Sequence, residues 1–145
     1  MTLPGPVAAA GLQALPLRLL PGDDLRVALG AALAATGAQA AFVVAGIGSL
    51  GPACIRFAGA DAATHLEGEF EILTLSGTLA QDGVHLHIAV ADAQGQVLGG
   101  HVARGCIVRT TAEVLVTALP AWSFTRTPDP RTGYDELAIA PREPG

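Results

Sequence analysis

VHLHIAVADAQGQVLGGHVAR, residues 84–104, holds two mostly apolar runs, VHLHIAVAD and QVLGGHVAR, separated by a short polar break. Each run is rich in β-branched and other apolar residues and bounded by turn formers, the signature of paired strands. Read as a three-residue loop, Ala93-Gln94-Gly95 puts a glycine at the left-handed position that this hairpin type requires. Asp92 then pairs with Gln96, Ala91 faces Val97, Ala89 faces Gly99, and His87 faces His101. A loop one residue longer would instead oppose Leu86 to His101, so everything below depends on register.

With the shorter loop, His85 and His87 share a face because strand side chains repeat every two residues. His101 stands directly across from His87 and diagonal to His85. Opposed side chains have Cβ atoms about 4.5–5.5 Å apart, close enough for three imidazoles to converge on an ion at about 2.0–2.1 Å. Three of the four histidines thus lie within 17 residues in an arrangement that can ligate a divalent metal. Three nitrogens leave a fourth tetrahedral position open, as in catalytic rather than closed structural zinc sites. Zinc leads on ligand chemistry, with nickel, copper and iron open. The alternative is three ordinary strand histidines satisfied by water or carbonyls. Gly99-Gly100, beside His101, either bends the strand or clears space for a ligand.

Working outward, residues 1–14 form a loose N-terminal tail without period, and LPLRLL, ending at Leu20, is the first strand. In DLRVALGAALAAT, Leu25, Leu29, Ala32 and Leu33 recur at helical spacing, with Asp23 or Asp24 as N-cap and Gly37 as the stop. AAFVVAGIG reads as a strand buried on both faces, and ACIRFA, Ala53 to Ala58, as its hairpin partner across GSLGP. GADAATHLEG is a polar loop. EFEILTLSGTLA, AEVLVTAL and WSFTR are further strands, and YDELAIA a short edge strand. Strands outnumber helices, which predicts an α+β fold: one domain over 15–140, a mixed and mainly antiparallel sheet with one or two packed helices, and a C-terminal tail at 141–145.

Half of the 145 residues are hydrophobic and 14% are charged, so the chain can bury a core and its bare surface is apolar enough to favour a homo-oligomer. The formal charge is −5; there is no lysine, and the eight arginines make no basic run. That argues against a strong grip on phosphate backbones. Cys54 and Cys106 lack C-x-x-C spacing and read as reduced core thiols of a cytoplasmic protein. The first residues lack a basic signal-peptide region, and the longest apolar run, Ala38 to Leu50, is too short for a bilayer, so no membrane association is expected.

Two charged residues within strands are candidate catalytic groups. Glu71 could orient a ligand histidine or act as acid or base near the metal, and otherwise faces solvent or pairs with an arginine. Arg56 could bind an anion near the site or make an ordinary interface ion pair. Glu113 carries the same ambiguity, and His65 reads as a solvated loop side chain. Phosphate-loop and nucleophile-elbow patterns are absent.

RLLPGDDL, AAFVVAGIGSLGPACIRF, EGEFEILTLSGTL, HLHIAVADAQGQVLGGHV and GCIVRTTAEVLV, in that order, resemble the PPC (plants and prokaryotes conserved) domain from about Leu17 to Ile139. FEILTLSG and the HxH hairpin ending in GGH are the most specific pieces. The resemblance implies a homotrimer with a divalent-metal role for His85, His87 and His101, which bacterial members keep, and a small-molecule ligand. It also carries a DNA-binding label, inherited from plant members that follow AT-hook motifs; no R-G-R-P core occurs here. The alternative function is therefore a DNA-associated regulatory module that uses the domain for oligomerisation. The fold group is also similar to acetolactate decarboxylase, whose metal is held by an HxH pair and a later histidine, but fold analogy does not transfer a reaction.

Overall fold

The computed structural model describes residues 11–143. Within them the chain forms, in order, β1 (Gln13–Leu19), α1 (Leu25–Thr36), β2 (Ala40–Leu50), β3 (Ala53–Arg56), β4 (Thr64–Leu66), β5 (Phe70–Ala80), β6 (Gly83–Ala91), β7 (Val97–Val102), β8 (Val108–Ala118), β9 (Trp122–Asp129) and β10 (Tyr134–Pro141). Eight strands make one sheet in the order β1-β8-β2-β5-β6-β7-β3-β4, and β9 and β10 form a separate ribbon. Every ladder is antiparallel; the parallel element is a single bridge, Gln39 to Ser123. The α+β reading holds, with one helix.

The β6–β7 hairpin takes the shorter loop. Gly95 sits at φ 77°, its N–H donates to Asp92 O at 2.9 Å, and Asp92 N donates to Gln96 O at 3.0 Å. Asp92 Oδ1 accepts from the N–H groups of Gln94 and Gln96, fixing the turn from inside. The register follows: Ala91 opposite Val97, Ala89 opposite Gly99, His87 opposite His101. The glycine pair meets the backbone of both flanking strands closely. A Cβ on Gly99 would lie 2.7 Å from Ile88 O on β6, and one on Gly100 would lie 2.5 Å from Arg56 O on β3. Their task is to let both flanking strands approach.

At the helix, Asp24 is the N-cap, accepting from Val27 N at 3.1 Å, and Gly37 closes the end at φ 69°. Leu25, Leu29 and Leu33 are buried in one core with Leu86, Ile88 and Val90 of β6 and Val108, Val114 and Val116 of β8. The alternate β6 positions, His85 and His87, therefore face away from that core.

Several local expectations give way to long-range packing. β3 does not pair with β2, whose edges are taken by β5 and β8; it joins β7 instead. β2 and β3 are four places apart in the sheet, about 19 Å across a flat one at ordinary strand spacing. Yet Gly51 and Pro52 alone connect them, a reach of about 11 Å over three Cα steps. The sheet must curl, and Ile107 pins the connection through Gly51 N to Ile107 O and Ile107 N to Pro52 O at 2.8 and 3.1 Å. ACIRFA stops being a strand at Arg56, and the polar loop contains the short strand β4, which pairs with β3.

β2 is not buried on both faces. Phe42, Val44 and Ile47 are exposed, because the helix covers only one side of the sheet. Gln13 and Ala14, assigned to the tail, already pair with Ala118 and Thr117, while residues 1–10 lie outside the described residues. YDELAIA is a full partner of β9, and the ribbon packs onto the sheet through Phe124, which meets Phe42 edge-on at 5.6 Å.

Candidate metal centre

Period-two alternation on β6 and the cross-strand pair with β7 bring His85, His87 and His101 together. The ring centroids are 5.0 Å apart for His85–His87, 4.6 Å for His85–His101 and 4.7 Å for His87–His101. The three planes meet at 67–68°, like the blades of a propeller. One nitrogen from each ring lies within 4.8 Å of the others, and Nε2 of His85 and Nε2 of His87 are 3.2 Å apart. Two ligands of a tetrahedral ion with bonds of about 2.0–2.1 Å are separated by about 3.3–3.4 Å. The three-histidine donor set can therefore hold a metal ion.

Two of the three rings are held toward the neutral form. Burial holds His85 well below its ordinary value, at about 4, with His101, Arg126 and His87 pushing the same way and Glu136 opposing. His101 is lowered too, first by burial, then by Arg56, His87 and Arg26. Neutral imidazoles are the ones that ligate.

The cluster opens onto a cleft of about 800 Å³ lined by both His85 and His101. Arg56 belongs to it. Its residue pairs with His101 in the β3–β7 ladder, and its Nη1 donates to Ala60 O at 3.3 Å. Glu71 lies elsewhere. It pairs with Ala91 at the opposite end of the β5–β6 ladder from Thr78 and His85, and it is exposed. Glu113 pairs in register with Arg18, away from the cleft. His65 is exposed, and its Nε2 is 2.8 Å from Glu67 Oε1.

Three arginines of the cleft, Arg26, Arg104 and Arg126, were not singled out in the sequence. Each follows an ordinary helix start, loop or strand, and a two-residue or four-residue period gives no hint of them. Arg126 Nη2 donates to Thr78 Oγ1 at 2.7 Å, and its backbone N–H to Asp82 Oδ2 at 2.8 Å, which seats the ribbon beside His85.

The chain matches the family model of the Plants and Prokaryotes Conserved (PCC) domain over residues 7–120. It is 46% identical over 138 residues to the bifunctional protein GlmU of Synechococcus sp. strain JA-2-3B'a(2-13), covering 95% of this chain and 22% of that protein. The chain thus spans about a fifth of the length of the curated relatives it matches. Among solved structures, a hypothetical protein of Salmonella cholerae-suis superposes with a TM-score of 0.89 at 44% identity, covering 93% of this chain and 98% of its own. A metal-containing protein of Archaeoglobus fulgidus gives 0.76 at 27%, covering 87% and 93%. A Bacteroides thetaiotaomicron protein described provisionally as DNA-binding gives 0.74 at 22%, covering 86% and 91%, a likeness of fold alone.

Proposed function

The chain belongs to the Plants and Prokaryotes Conserved domain family, and from that premise we propose that it is a homotrimeric protein in which His85, His87 and His101 bind a divalent metal, zinc foremost, beside a small-molecule site. The observation that carries this reading is the 3.2 Å approach of two imidazole nitrogens inside a three-ring cluster. Two neutral imidazoles that close either share a proton or direct both lone pairs at one ion, and a third ring with a nitrogen within 4.8 Å of both favours the ion. The metal-containing Archaeoglobus fulgidus protein, similar over most of its length, adds support. When bound, the ion would supply Lewis acidity toward a carbonyl, carboxylate or water. The protein supplies the open cleft, and Arg56 holds charge beside His101. Glu71, exposed and distant along the ladder, is at most a remote contributor within one protomer.

The trimer draws support from the apolar outer face. Val44, Ile47, Leu73 and Leu115 are exposed there, and Leu115 lies in one rung with Ala45 and Pro16. A second copy would cover such a face. The DNA-associated alternative lacks charge to carry it, since the chain is acidic overall and four of its eight arginines line a cleft that also holds Asp82, Asp135 and Glu136.

Elemental analysis of tag-free protein, with light scattering for mass, tests the reading. About one metal per chain that disappears in His87→Ala is the expected result. Metal-free wild-type protein would refute it, and a DNA mobility shift that weakens steeply with salt would favour the alternative.

A further inference from the structure

Four of the chain's eight arginines, Arg26, Arg56, Arg104 and Arg126, line the cleft next to the histidines. Among the described residues none of the four has a carboxylate ion-pair partner; the ion pairs of arginine are Arg109–Glu69 and Arg131–Asp129. Arg26 and Arg56 each spend one donor on a backbone carbonyl, Val102 O at 3.2 Å and Ala60 O at 3.3 Å. A guanidinium has five donors, so most remain free.

The cleft is polarised. Arg56 pairs with His101 in the β3–β7 ladder and Arg26 reaches Val102 O next to it, whereas Arg126 holds Thr78, the ladder partner of His85. Asp82, Asp135 and Glu136 belong to the lining, with the latter two on β10. The basic side is assembled by Asp24. Its Oδ1 caps the helix that carries Arg26, and its Oδ2 accepts from Gly105 N at 2.7 Å, next to Arg104. Asp24 offsets part of Arg26's charge, yet burial and then Arg104 still lower the Arg26 pKa, so the two guanidiniums repel across the cleft. Like charges held together and only partly offset cost stability, and an anion between them would relieve that cost.

We infer that Arg26, Arg56 and Arg104 form the recognition site for a small anion, a carboxylate or phosphate, seated beside the three-histidine cluster. The inference names the ligand class for the site proposed above and rests on that reading for what the anion's far end meets. Size and charge both favour a small molecule. A cleft of about 800 Å³ lies in the range of roughly 300–1,000 Å³ typical of metabolite pockets. The acids on β10 would repel a nucleic acid laid across it.

Isothermal titration of zinc-loaded, full-length protein with inorganic phosphate and, separately, with malonate tests this. Either probe should bind, and Arg104→Gln and Arg56→Gln should each weaken binding about tenfold, the loss of one charged hydrogen bond. Zinc content should not change. Arg131→Gln, on an exposed arginine paired with Asp129, should bind like wild type, and thermal melts establish that each variant folds. Preference between the probes assigns phosphate or carboxylate. If zinc is bound but neither anion binds, or both arginine variants match wild type within twofold, the inference falls and the metal reading stands. If no zinc is bound while anion binding still depends on Arg56 and Arg104, the metal reading falls and this one stands.

Discussion

Gly100→Ala probes the join between the histidine hairpin and the strand carrying Arg56. The new methyl would lie 2.5 Å from Arg56 O and 3.0 Å from Ile55 Cγ2. Ordinary contact begins at 3.4 Å, so the strands must part by about 0.9 Å. Overpacking of this kind costs roughly 1–3 kcal/mol. For a chain of this length each kcal/mol lowers Tm by about 2–4 °C, so a fall of roughly 2–12 °C is expected by calorimetry. The two strands do not yield equally. β7 is held on its other side by five residue pairs with β6, while β3 leans on the three-residue β4. β3 should therefore move, carrying Arg56 out of the cleft and leaving His101 in place. Zinc should bind with unchanged stoichiometry while anion affinity drops. Gly51→Ala, where a Cβ meets nothing within 4 Å, is the control and should shift Tm little. Equal Tm values for the two variants would refute the close-approach argument, and loss of zinc from Gly100→Ala would refute the assignment of β3 as the strand that gives.

Gly95→Ala should cost about 1–2 kcal/mol, the penalty of a Cβ at φ 77° in open space, and Gly95→Asn visibly less, as urea midpoints will register; an alanine variant as stable as wild type would contradict the turn assignment. Zinc at a hundred times its dissociation constant should stabilise the protein by about 2.7 kcal/mol, roughly 5–11 °C in Tm, with chelator reversing it and His87→Ala showing no response. Burial pushes the Cys106 thiol up to about 11 and leaves it no exposed surface, so alkylation at pH 8 should label Cys54 first and reach Cys106 only after unfolding; matching rates would argue against the packing described.

What could be read from the sequence and what could not divide along the range of the interactions. The histidine cluster was legible because its geometry is set within 17 residues by two rules, side-chain alternation and the glycine demand of a three-residue turn, and the register from Asp92 to His101 obeys both. The helix was legible for the same reason: Asp24 and Gly37 are local start and stop signals around a leucine stripe. The partner of β3 was not. Adjacency across GSLGP argued for β2, but β2 already had two long neighbours in β5 and β8, and a two-residue link can reach β7 only because the sheet curls, a global property that leaves no mark in residues 51–52. The cleft inherits that illegibility. Arg26 arrives from the helix start, Arg56 from the displaced strand, Arg104 from the loop behind His101 and Arg126 from the ribbon, so four arginines that look scattered in sequence converge only after curling has closed the distances between them. A net charge of −5 therefore says little about the local field at the histidines, where the groups acting on His101 from one wall are cationic.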